Sequence, residues 1–76
     1  MNDDSKTYSV TRSHDGQIYV LRLVPPRFTV QYIPDALSNI KFIDIRDEFP
    51  LDAGIVARFM REIGDEIAVF LQTEKQ

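Results

Sequence analysis

Three groups of residues carry side chains of the kind that do chemistry, and their spacing decides what each could do. Ser13-His14-Asp15 holds the residue types of a hydrolytic triad, and His14 is the single histidine of the chain. A triad needs nucleophile, base and acid to converge in space, with the base between the other two. Three consecutive residues do not offer that geometry. Followed by Gly16, they read as the polar tip of a hairpin. With the only histidine placed there, none is left to act as a base elsewhere.

Asp44, Asp47, Glu48 and Asp52 form the densest acidic cluster. Oxygen-rich clusters hold hard cations such as calcium or magnesium. Here the spacing follows no calcium-loop pattern and the mid-loop glycine is missing. Acidic residues ahead of a helix also complement the positive end of its dipole. Tyr8, Tyr19, Phe28 and Tyr32 form an aromatic stripe of the sort that single-strand-binding sheets use for stacking bases. They share their expected face with Val10, Leu21, Leu23 and Val30, which points to core packing. The glycines at 16, 54 and 64 make no phosphate-binding loop. No catalytic, cofactor-binding or metal residue is assigned.

Composition sets the frame for these residues. A chain of 76 residues allows one domain. Hydrophobic residues at 43% and charged residues at 28% fit a globular protein and exclude a disordered one. A small domain buries only about 60% of the surface its unfolded chain exposes, and often needs a staple. The absence of cysteine removes disulfides and thiolate metal sites, so oligomerisation is the staple left. A net charge of −3 opposes nucleic-acid binding and an anionic membrane surface. The polar start, Met1-Asn-Asp-Asp-Ser-Lys6, is unlike a signal peptide, and no apolar run approaches the ~18 residues of a membrane span. A cytoplasmic location is expected.

Residues 1–6 read as a flexible tail and 7–76 as a single small domain. Residues 7–12 alternate in the manner of a strand. Asp15-Gly16 signals a two-residue hairpin turn. Residues 17–24 form the second strand, which Pro25-Pro26 ends, since proline has no ladder donor. A four-residue loop, 24–27, then leads to a third strand at 28–33. Residues 34–39 are a turn or one helical turn, 40–45 a fourth strand that is apolar on both parities, and 46–51 a loop. Asp52 is the expected N-cap of a helix running to about Thr73. Its apolar stripe is Ile55, Val56, Phe59, Met60, Ile63, Ile67, Phe70 and Leu71. Gly64 interrupts it and should cost about 1 kcal/mol against alanine, marking close packing or a bend. The fold class is α+β: an antiparallel β-meander of three to four strands followed by one long C-terminal amphipathic helix packed on one sheet face.

These turns set Tyr8 opposite Leu23, Val10 opposite Leu21, Leu21 opposite Val30 and Tyr19 opposite Tyr32. Paired residues share a face. Tyr8, Val10, Tyr19, Leu21, Leu23, Phe28, Val30 and Tyr32 then meet the helix. The opposite face carries Ile18, Val20, Arg22, Gln31 and Ile33, with Ile43 a further candidate. A partly apolar face with no cover marks an interface. The expected function is a non-enzymatic protein–protein interaction module, acting as a homodimer or a small accessory or regulatory subunit, with no cofactor. Alternatives are a single-stranded nucleic-acid-binding domain using the sheet tyrosines, or a small carboxylate-based metal-binding domain.

Overall fold

The computed structural model describes residues 6–34 and 40–75. The expected turn at 34–39 falls largely outside these. Four strands, β1 (Tyr8–Arg12), β2 (Ile18–Arg22), β3 (Phe28–Tyr32) and β4 (Ile40–Ile45), form one antiparallel sheet in the order β1-β2-β3-β4, followed by α1 (Ala53–Glu74). This is the expected α+β meander with a C-terminal helix.

The helix begins where its cap predicts. The Asp52 carboxylate accepts the Ile55 N–H at 3.0 Å, satisfying one of the amides left free in a first turn. Phe59, Ile63 and Ile67 bury their side chains against the sheet, with Ile55 and Leu71 packed beside them. Phe28, Phe42, Phe49 and Phe59 meet in a ring cluster with centroids 5.1–6.2 Å apart. Phe49 reaches it from the 46–52 loop. That loop is clasped to the β2–β3 connection: Arg46 and Asp47 donate backbone N–H groups to the Arg27 carbonyl, and Arg27 pairs with the Asp47 carboxylate at 2.8 Å.

The register differs from the sequence expectation by one residue. Tyr8 faces Arg22 and Val10 faces Val20. Val20 also faces Val30, and Ile18 faces Tyr32. The first hairpin explains this. Ser13 donates to the Gln17 carbonyl at 2.8 Å and Gly16 to the Ser13 carbonyl at 2.9 Å, so the loop has three residues, His14 to Gly16. A two-residue primed turn needs positive φ at both positions. Here Gly16 alone takes it, at +92°, and Asp15 does not. Asp15 instead accepts from the Ser13 hydroxyl and the Gln17 amide. The second connection is likewise odd, running from Leu23 to Arg27, with Pro25–Pro26 cis.

The helix-facing assignments in β1 and β3 therefore stand, while β2 turns over. Ile18 and Val20 lie in the core, with Val20 wholly inaccessible, so they are not contact residues of an open face. Tyr19, Leu21 and Leu23 move to the outer face. In β4, Phe42 and Ile40 pack on the core, and a register shift between Thr29 and Val30 inserts Ile43 as a bulge. Gly64 has nothing within 4 Å of a built Cβ, so close packing is not its reason.

Three substitutions test this geometry. Val20→Asp places an unpaired carboxylate in the core and should abolish the cooperative thermal transition seen by circular dichroism, whereas Leu21→Asp should keep it. Gly64→Ala fits without contact and should raise the unfolding free energy in urea by about 1 kcal/mol.

Candidate interaction surface

The outer sheet face is built from the odd-numbered positions of β1, β2 and β3. Pairing sets Ser9, Leu21, Thr29 and Asp44 in one row and Thr11, Tyr19, Gln31 and Lys41 in the next. Leu23 extends the first strip, because its N–H donates to the Thr7 carbonyl at 2.7 Å and keeps the ladder going. Leu23 is 44% exposed and Ile43, at the bulge, 46%. No helix covers this face among the described residues. Gln31 donates to the Gln17 side chain at 2.8 Å, making a polar patch beside Tyr19. Leu21, Leu23, Thr29 and Asp44 line a shallow depression of 290 Å³, rimmed by Arg27 and Arg46.

Of the residues expected at the contact, Gln31 lies on this face and Ile43 is exposed at its edge. Ile33 follows the last residue of β3 and is half-buried. Ile18 and Val20 are core. Arg22 faces the helix, with a side chain 12% exposed. It donates from Nη1 to the Tyr8 hydroxyl at 2.9 Å, and that hydroxyl donates to Glu62 at 2.6 Å. The guanidinium stacks 5.3 Å from the Tyr8 ring centroid and 5.0 Å from that of Phe59. Its Nε is buried without a partner, a cost set against the stacking and the Glu62 charge at 3.6 Å.

The other candidates are drawn apart. Tyr8 is in the core and Tyr32 shares its face, leaving Tyr19 as the only tyrosine on the open side. The aromatic stripe is therefore split between the two faces. No group of three potential metal ligands gathers among the described residues. Asp47 is held by Arg27, which keeps its carboxyl down at about 2, and Asp52 caps the helix. Ser13 and Asp15 bond one another at the hairpin tip.

No family model, curated protein or solved structure matches the chain. Sequence reasoning missed Tyr19, Leu21 and Leu23 as surface residues because both parities of β2 are apolar. The one available signal was the hairpin: a Ser-His-Asp-Gly tip also suits a three-residue loop with glycine in the left-handed region.

Burial, then the bond to Glu62, pushes the Tyr8 phenol up to about 12. The neutral phenol is thus favoured by folding. Its contribution to stability is complete below the ordinary pKa of about 10 and is lost as pH rises through 12. Tyr8→Phe should lower stability by about 1–2 kcal/mol near neutral pH and reduce the stability lost between pH 10 and 12, measured by urea titration.

Proposed function

We propose that the protein is a non-catalytic protein-interaction module, working as a homodimer or as a small subunit of a larger assembly. The observation that supports this is the open sheet face, where Tyr19, Leu21 and Leu23 form an apolar strip along β2. Scattered apolar residues on a surface need no explanation, but a contiguous strip rimmed by polar groups is how contact surfaces are composed. Tyrosine and leucine in the middle, threonine and glutamine beside them and Arg46 and Asp44 at the corner match a core-and-rim arrangement. No helix among the described residues is long and apolar enough to cross a membrane. A cytoplasmic protein partner, or a second copy, is the occupant this reading assigns.

Photo-crosslinking tests it. A benzoyl-phenylalanine placed at Tyr19 should form covalent adducts with protein in the source cell, while the same group at Arg58, exposed on the helix, should not. A folded Tyr19 derivative that yields no adduct would remove the outer face as the contact surface.

A further inference from the structure

The two edges of the sheet are not equivalent. β4 carries the bulge at Ile43 and an exposed Lys41, both of which blunt an edge against pairing. β1 has a regular register over its whole length. Its backbone orientation follows from the two bonds that bracket it. Thr7 accepts from Leu23 and Ser13 donates to Gln17, so in an antiparallel ladder the odd residues of β1 turn their N–H and C=O groups towards β2. Tyr8, Val10 and Arg12 turn theirs to the free edge. No described strand meets them there.

We propose that a second copy of this chain pairs with this edge, β1 against β1, about a two-fold axis at Val10. A two-fold perpendicular to a sheet sets each residue opposite one with the same orientation. Centring on Val10 places Val10 against Val10 and Tyr8 against Arg12 in both halves. All the outward groups then find partners at once, in about six backbone hydrogen bonds. Shifting the centre leaves some of them unpaired. On the outer face Ser9 falls opposite Thr11, a favourable hydroxyl pair.

The flank of the helix above β1 supports the same occupant. Tyr8, Val10, Glu66, Val69 and Phe70 line a groove of 210 Å³ along this edge, and Val69 is 62% exposed. The two-fold brings the second helix alongside, where neighbouring helices pack about 8–10 Å apart and would cover Val69. A single pairing-competent edge closes as a two-fold dimer and does not propagate. The product is a continuous eight-stranded sheet whose outer face joins two copies of the Tyr19–Leu21–Leu23 strip.

This inference deepens the homodimer form of the proposed function, and its test is separate from the Tyr19 crosslink. Sedimentation and light scattering over a hundredfold concentration range should give twice the mass of one chain. Residue-resolved amide exchange should show the Val10 N–H protected, although no bond within one protomer protects it. Val10→Pro removes that outward donor without touching the β1–β2 ladder, and Val69→Lys charges an exposed position that cannot threaten the fold. Each should weaken dimerisation at least tenfold, with folding checked by circular dichroism. A monomer at every concentration overturns the proposal. So does a dimer in which the Val10 amide exchanges freely, or one that survives Val69→Lys unchanged. A monomer that still crosslinks through Tyr19 overturns the edge pairing alone. An edge-paired dimer with no Tyr19 adduct overturns the outer-face reading alone.

Discussion

The closure of the first hairpin between Ser13 and Gln17 governs the rest of the molecule. A strand has a period of two, so the number of residues in the loop decides which half of β2 meets the helix. Three residues, with Gly16 absorbing the positive φ, send Ile18, Val20 and Arg22 inward. Val20 then sits between Val10 and Val30 under the helix, and Tyr19, Leu21 and Leu23 face out. A two-residue loop would exchange these sets. The second connection has to be odd as well, because β3 must present Phe28 and Val30 on the side that β2 has chosen.

That choice brings an arginine into the interface between sheet and helix. A guanidinium there needs a counter-charge, hydrogen-bond acceptors and a flat surface for its apolar face. Glu62, the Tyr8 hydroxyl and the rings of Tyr8 and Phe59 supply them. Tyr8 links the parts, donating to the carboxylate and accepting from the arginine. One end of β1, the middle of the helix and the end of β2 are thus joined by directional contacts. Arg12 and Glu74, paired at 2.5 Å, tie the far end of β1 to the last turn of the helix. The helix is held at both ends of the edge strand, which explains why it lies towards β1 and not across the bulged β4.

The element order, the helix with its cap and the core positions in β1, β3 and the helix were legible because each has one strong signal. Those signals are strict alternation, a three-and-four spacing and an aspartate ahead of the first turn. The orientation of β2 was not legible. Ile18, Val20 and Val24 on one parity and Tyr19, Leu21 and Leu23 on the other are equally apolar, so patterning has no preference and the turn decides. Asp15-Gly16 favours a two-residue loop on statistics. The Asp15 carboxylate, by accepting from Ser13 and Gln17, stabilises the three-residue one. The sheet face opposite the helix was therefore expected with the wrong residues of β2. The bulge at Ile43 has no sequence signal, since the apolar residues of 40–45 fall on both parities.

A sheet with one covered face is thin for a domain of this size, and where its polar and apolar residues fall on the open side carries meaning. Alternation would let every outward position be polar at no cost to the core. Thr11, Gln31 and Lys41 follow that rule. Tyr19, Leu21 and Leu23 do not, and they lie together in the central part of the sheet and not along the edge of β4. The departure centres on β2, one of the two interior strands, where an apolar residue gains shelter from its neighbours and also offers a wide flat contact, with Ile43 on β4 a separate exposed position. Stability alone would account for half-sheltered Tyr19 and Leu21. It gives no reason for Leu23, which is among the more exposed large apolar residues and has little shelter to gain. That exposed continuation of the strip is the feature on which the proposed contact surface rests.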